Sequence, residues 1–537
     1  MTRFHAVMLV AGLALLGVVA LTLAPATGQA PKYGGILNVM QREDPPQGFS
    51  IHETSTISTV WPGMPCLSNL VIFDPLKKTE SMETIIPELA EKWSWQDNYR
   101  NLVFFLRKNV KWHDGQPFTS KDVKYTFDMV REAKEAQAKL RINPRKDWYA
   151  NVDNIEAADP HTVVFHLKRP QPSLLMMLAS GYTPVYAAHV PVANYRTGCI
   201  GTGPFKLKEW KRGEYVDFVK NTDYFIKGRP YLDGLRYIPI PDRGTKFAAL
   251  QAGRLDVSFP GDESKTIAEQ VTKAEPRIKL TIANQNVNDN LLLNVTKPPF
   301  NNIQVRRAIS LAIDRRGAVQ AVHQGGGVVG ASMAPKPYGV WGLLEKDLAQ
   351  LPGYGKPAEE KAKAKKLLAE AGFGPSNPLK IELATRAIPI YLDLSSFVIP
   401  ELKLIGVEAV LKQIETAQWH PLATRKEYQA APNLTGLGTD DPDGNFYENY
   451  ACGSPRNYTG YCDEQVMKLI DQQSQELDPK KRFQMVVNIQ KKLEEDAARP
   501  MIDWRLLYNL QWQHVKNLIP HQSIYNWGRM QEVWLDK

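Results

Sequence analysis

Hydrophobic and polar positions along this chain alternate between two periods, one of 2 and one near 3.6, and the elements they predict are interleaved rather than segregated. From Ile36 to Met40 apolar and polar residues alternate behind Gly34 and Gly35, which predicts a first strand. Leu102 to Leu106 and Val110 to Trp112 are strand-like runs that meet a turn at His113-Asp114-Gly115. Thr119 and Ser120, with Asp122, supply the N-cap and acidic first turn of a helix running to Glu135. Strand, Asp-Pro turn and strand follow from Val152 to Leu167, then a short helix from Ser173 to Ala179. Gly201 to Phe205 opens a further strand pair, and Thr245 to Ala252, closed by Gly253, predicts a helix with the strand Leu255-Asp256-Val257 behind it. The second half repeats the mixture: helices from Asn302 to Asp314, from Pro357 to Ala371 stopped by Gly372, and from Tyr391 to Ile405 stopped by Gly406, with strands from Leu379 to Ala384 and Val407 to Ile414. The class is therefore α/β with several sheets. There is no internal repeat and no low-complexity linker, so a chain with two lobes must cross between them through ordered strands, as hinge-type binding proteins do.

Arg3, an apolar run from Ala6 to Leu23, Pro25 and the small-residue end Gly28-Gln29-Ala30 together predict a secretory signal peptide over residues 1–30. Left uncut, the run is almost long enough to anchor the chain in a membrane, and no other segment approaches ~18 apolar residues. No Cys stands near the cleavage position, which favours a free periplasmic chain over a lipoprotein. With 537 residues, 43% of them hydrophobic, the chain has core material for two or three domains. The +9 formal charge comes from basic residues interspersed with acids, as where Lys361 to Lys366 adjoin Glu359 and Glu360, so nucleic acid is not an expected partner.

Four cysteines, Cys66, Cys199, Cys452 and Cys462, allow three pairings in an oxidising compartment. Cys452 and Cys462 enclose a short Gly-, Pro-, Asn- and Tyr-rich segment across which a bridge is geometrically easy. Zinc is the competing reading, but there is no CxxC and no His beside either pair, so no metal and no cofactor is expected. His113 beside Asp114 has the composition of a general base or metal ligand, but Asp-Gly turn chemistry accounts for the pair. GxSxG, HExxH and a reactive-cysteine setting are all missing, so the chain is not expected to be an enzyme, a periplasmic hydrolase being the rival reading.

The segment NLVFFLRKNVKWHDGQPFTSKDVKYTFD, from Asn101 to Asp128, resembles the signature region of the extracellular solute-binding proteins of family 5, the dipeptide, oligopeptide and nickel binders. Further matches follow in the family's order: GGILNV from Gly34, IGTGPFKLKEW from Ile200, NTDYF from Asn221, AALQAGRLDV from Ala248, VRRAISLAIDR from Val305, KAKKLLAEAGF from Lys363 and DPDGNFYENYACG from Asp441. The resemblance implies a two-lobed periplasmic binding protein of type II, cluster C-like, with an extra subdomain inserted in the first lobe and a hinge of crossing strands. The implied division is lobe I over 31–67, the inserted subdomain over 68–198, lobe I again over 199–283, lobe II over 284–503 and a last lobe I segment over 504–537.

The implied function is the substrate-binding component of an ABC importer, a monomer that captures a short peptide or peptide-like amino compound and delivers it to membrane permease subunits. The same fold could instead hold a non-peptide solute, such as an opine, an oligosaccharide or a metal chelate. Arg386 stands in LATRAIPIY, where the family's dipeptide binders carry the arginine that holds the ligand carboxylate, a task suited to a forked guanidinium. Trp419, after KQIETAQ, matches a tryptophan that walls the peptide pocket. Asp440, four residues after Gly436, matches the aspartate that binds the peptide amine, although the segment counted back from Pro442 is two residues shorter than the family's. Cys452 and Cys462 match a C-terminal disulfide of the dipeptide binders, and Cys66 and Cys199, which are this chain's own, pair by elimination.

Overall fold

Two long antiparallel strands, Ile278–Leu293 and Met501–Trp512, carry the chain between its two lobes in the computed structural model, which describes residues 30–537. The signal-peptide segment lies outside the described residues, Ala30 excepted. At one end Ile278 pairs with Trp512, and Val257 bridges Gln511 on one side and Val39 on the other, joining these strands to a four-stranded sheet. That sheet has the order Ile36–Gln41, Gly234–Pro239, Tyr215–Lys220, Phe205–Lys211. At the other end the same two strands sit in a six-stranded sheet with Ala430–Gly436, Leu379–Arg386 and Val407–Ile414 beyond one edge and Gly327–Val328 at the other. A separate four-stranded sheet is built from Ala90–Gln96, Asn101–Leu106, Thr162–Leu167 and Val152–Asp159.

Apolar packing divides along the same line. Leu37, Val39, Leu255, Leu510 and Val533 share one large core, drawn from both chain ends. Leu291, Ile309, Leu394, Val398 and Ile502 form another beneath the six-stranded sheet. Between these cores the pairing of the long strands slips, from Asn284 opposite Leu506 to Asn288 opposite Trp504. Bulges of this kind bend a strand and re-aim its side chains, and here Gln285, Val287 and Arg505 of the irregular stretch line a cavity between the lobes.

Local signals account for most helix ends. Thr119 and Asp122 form a capping box on Ser120–Val130, Asp122 accepting from the Thr119 N–H at 2.8 Å. This helix stops short of the expected Glu135 because Glu132 adopts a left-handed conformation, φ 56°. Pro357 opens Pro357–Glu370 at its first turn, and Gly372, at φ 90°, ends it. Val110 to Trp112 is not a strand; it contributes one bridge, Lys111 to Pro117, around the His113 turn. Leu255 to Val257 is likewise no strand of its own, since Val257 alone pairs, through its bridges to Val39 and Gln511.

Cys66 is bonded to Cys199 and Cys452 to Cys462, with Cα atoms 6.5 Å and 4.7 Å apart. Beside the first bridge, Gly201 packs so tightly that a Cβ would lie 1.8 Å from the Cys66 carbonyl oxygen, so only glycine fits. His113 fastens the signature turn to the same segment. Its Nδ1 accepts from the Gly201 N–H at 3.3 Å, which leaves Nε2–H to donate to the Gly203 carbonyl at 3.0 Å. Burial holds its pKa down to about 4, so the ring is a neutral structural clasp. Asp114 pairs with His189 at 2.7 Å instead. No helix among the described residues is long and apolar enough to cross a membrane.

Candidate functional site

Four arginines, Arg42, Arg386, Arg456 and Arg505, line a narrow cavity of about 40 Å³ between the lobes, and no Asp or Glu among the described residues lines it. Each guanidinium has an acid behind it. Arg42 donates to Asp262 at 3.1 Å, Arg386 to Glu43 at 3.2 Å and Arg505 to Asp289 at 2.8 and 3.0 Å, while Arg456 pairs with Glu448 at 3.2 Å. Asp262 is shared with Lys246, and Glu448 with Arg145 at 3.8 Å, so positive charge prevails. The cavity thus faces a solute with donors and cations. Past Gly261, Gln285 and Ile390 the cleft continues into a second hollow of about 30 Å³, which Glu263 and His323 line. Burial and the neighbouring Asp262 push the Glu263 carboxyl up to about 8, so it adds no charge at neutral pH. A larger hollow of about 520 Å³ lies beside Asp314, Lys336 and Glu360. The site is assigned to the cavity that Arg386 lines, which gathers groups from both lobes and the crossing strands, whereas the 520 Å³ hollow is lined only by residues between 313 and 360.

Arg386 ends the strand Leu379–Arg386 and is buried. Its Nη1 donates to the Tyr391 hydroxyl at 2.7 Å, its Nη2 to Thr416 Oγ1 at 2.8 Å and its Nε to the same oxygen at 3.2 Å. Tyr391 belongs to the next helix, Pro389–Lys403, and Thr416 begins Thr416–Thr424, so two helices fix one guanidinium in the cavity wall. Gly436 completes the opposite wall. A Cβ there would lie 2.4 Å from the Tyr525 hydroxyl, so any larger residue would push on that ring where the lobes meet.

The other two sequence-predicted ligand residues are placed elsewhere. Trp419 is buried among Leu292, Ala384, Ile414 and Tyr428 in a small apolar cluster and does not line the cavity. Its neighbour His420 does. No local signal in the sequence singles out His420, and the tryptophan beside it is the louder one. Asp440 is also buried away from the cavity, where its Oδ2 accepts the Val340 N–H at 2.9 Å. Burial, with Asp441 and Glu80 nearby, lifts its pKa to about 7, so it is a poor counter-charge for an amine. The following acids are structural: Arg482 grips Asp441 at 2.8 and 2.9 Å, and Asp443 accepts from Gln171, Ser173, Gln473 and Ser474.

Among the described residues, one group has metal-ligand geometry, Asp289, His323 and Asp503, with donor atoms within 4.8 Å. Arg505 already occupies Asp289, and His323 bridges the two carboxylates at 2.9 and 3.0 Å. Burial disfavours charge on His323, but Asp503 and Asp289 outweigh it and hold its pKa up to about 9. The cluster is a buried ionic clasp across the crossing strands.

Comparison with known proteins places this arrangement. Residues 84–457 match the family described as bacterial extracellular solute-binding proteins, family 5 Middle. The dipeptide-binding protein of Escherichia coli is 26% identical, over 89% of this chain and 91% of that protein. The periplasmic binding protein DppA from Helicobacter pylori, solved in complex with peptide STSA, superposes with a TM-score of 0.82 at 22% identity, over 94% of this chain and 99% of that one. AgaA from A. tumefaciens R10, solved in complex with agropinic acid, does so with a TM-score of 0.78 at 22% identity, over the same shares. Both have the two-lobed fold found here.

Proposed function

Because the chain belongs to the bacterial extracellular solute-binding proteins of family 5, a family of transport components, we propose that it captures a short peptide or peptide-like amino compound between its lobes and delivers it to an ABC permease. The observation that carries this reading is the interlobe cavity with four arginines and no lining acid, in which Arg386 is positioned to take a carboxylate. The cavity, about 40 Å³, is far smaller than the ~300–1,000 Å³ of a small-molecule site, so a solute enters only with the lobes apart and is enclosed as they close. Enclosure of this type buries ~70–90% of a small ligand and orients it with few polar groups. We assign lobe I to residues 31–67, 199–283 and 504–537, the inserted subdomain to 68–198 and lobe II to 284–503. The mature chain acts in the periplasm as a monomer after loss of residues 1–30, with no nucleic acid partner.

A second reading, capture of a non-peptide acid such as an opine, is favoured by one observation: Asp440 stands outside the cavity, which leaves a ligand amine without its expected acid. A thermal-shift series with dipeptides and with amine-free dicarboxylic acids separates the two. A ligand at 100 times its Kd stabilises by about 2.7 kcal/mol. Stabilisation by dipeptides supports peptide capture; stabilisation by the amine-free acids alone overturns it.

A further inference from the structure

His420 lies in the cavity wall with its Nδ1 3.0 Å from the Tyr458 hydroxyl and with no hydrogen-bond partner for its buried Nε2. The Tyr458 hydroxyl is also 3.0 Å from Arg456 Nη1, which can only donate. Among the described residues these are the hydroxyl's two contacts. Its own proton therefore goes to His420 Nδ1, the one acceptor within reach. A ring that accepts at Nδ1 and is neutral carries its hydrogen on Nε2. Neutrality follows from burial, reinforced by Arg386, Arg456 and Arg145, which all oppose a second proton. The chain Arg456 to Tyr458 to His420 thus ends in one buried N–H, on a ring that lines the cavity, left unmet among the described residues. A buried donor without a partner carries a desolvation cost that a ligand oxygen removes.

Resting on the reading of the cavity as the capture site, we infer that the His420 Nε2–H, with Arg456 beside it, takes a second carboxylate of the ligand, so that the captured compound is acidic and carries one carboxylate for Arg386 and another for His420. The rest of the wall fits this chemistry. Arg42 Nε is another buried donor without a partner, and no lining acid would repel the second anion. Thr416 holds Arg386 and His420 lies one helical turn later, so a single helix sets the spacing between the two subsites.

The test begins with the protein alone: ¹⁵N-histidine NMR at pH 7, with the His420 signal assigned by its loss in His420→Gln. An Nε2–H tautomer is expected, and an imidazolium or an Nδ1–H tautomer overturns the inference whatever the ligand is. Calorimetry then compares Ala-Glu with Ala-Gln, which share a terminal carboxylate and differ in the side-chain oxygen's charge. The wild type should prefer Ala-Glu by about tenfold or more. His420→Phe, or the smaller His420→Asn, should erase most of that preference, while His420→Gln, which can return a donor to the same place, should keep it. Equal binding of the two peptides, or a preference that survives both Phe and Asn, overturns the inference. If neither peptide binds, peptide capture fails and glutarate against its monoamide decides the subsite: a glutarate preference lost in His420→Asn supports it, and no binding of glutarate overturns it.

Discussion

Replacing Arg386 by alanine should separate recognition from folding. The substitution removes a guanidinium that donates to Tyr391 at 2.7 Å, to Thr416 at 2.8 and 3.2 Å and to Glu43 at 3.2 Å. If it also donates to a ligand carboxylate, the loss is that of a charge-assisted hydrogen bond, about 1.5–3 kcal/mol. That raises Kd by about tenfold to somewhat over a hundredfold. The empty protein should lose less, about 1–2 kcal/mol, because the Tyr391 side chain lines the cavity and its hydroxyl can find water there. Glu43, whose side chain is 22% exposed, can rehydrate when its partner is gone. Calorimetry with a dipeptide and its C-terminal amide, on wild type and variant, isolates the effect: the penalty should fall on the free acid and spare the amide. Glu43→Gln serves as the opposite control, since Glu43 and the ligand compete for the same Nη2, and it should strengthen carboxylate binding. Equal losses for acid and amide, or no loss for either, would refute the role of Arg386.

Three further outcomes are expected. Cys452→Ser with Cys462→Ser opens a loop of sequence separation 10, a chain-entropy loss of about 3 kcal/mol, and it should also weaken carboxylate probes because Arg456 and Tyr458 lie inside that loop; unchanged affinity in calorimetry would count against their placement. Stability measured by urea unfolding should fall from pH 6.5 to 9. His323 is protonated in the fold up to about 9, so its contribution of about 3 kcal/mol is present below 6.5 and lost as pH rises through 9, and Glu263, raised to about 8, acts in the same direction. His323→Gln should flatten that slope, and a flat wild-type profile would contradict the ionic clasp. Gly436→Ala sets a Cβ 2.4 Å from the Tyr525 hydroxyl, so it should raise Kd by hindering closure, with partial recovery in Gly436→Ala/Tyr525→Phe; full affinity in the single variant would show that this contact is not needed for closure.

What the sequence made legible was local. The capping box at Thr119, the proline start at Pro357 and the glycine stops at Gly372 and Gly406 act within one turn of themselves and survive any tertiary context. Glu464–Gln475 and Pro479–Glu495 announce themselves in the same way, by N-caps at Asp463 and Asp478, and could have been read. The crossing strand Ile278–Leu293 could not be read from alternation. Its central residues Gln285, Asn286, Asn288, Asp289 and Asn290 are polar and buried, because they face the interlobe gap and the neighbouring strand rather than a lipid-like core. Burying polar side chains is tolerable there only because partners from distant segments meet them: Asn290 donates to Thr435 at 2.9 Å, and Asp289 takes both Arg505 and His323.

The same physics explains which site residues were found. Arg386 could be singled out by resemblance because it stands where a strand gives way to a helix, a junction legible in LATRAIPIY. Asp440 was not, since one carboxylate in the run Asp440, Asp441, Asp443 is distinguished from the next only by what lies behind it. Arg482 lies 41 residues beyond Asp441 and neutralises it, the Val340 N–H alone meets Asp440, and neither partner is visible in a motif. His420 is the instructive case. Beside Trp419 it reads as an incidental core histidine, and its chemistry comes wholly from Tyr458 and Arg456, 38 and 36 positions away, on a loop that a disulfide closes. A family motif reports the residues that relatives share; the group that narrows this cavity to its own solute is set by contacts that begin outside the motif.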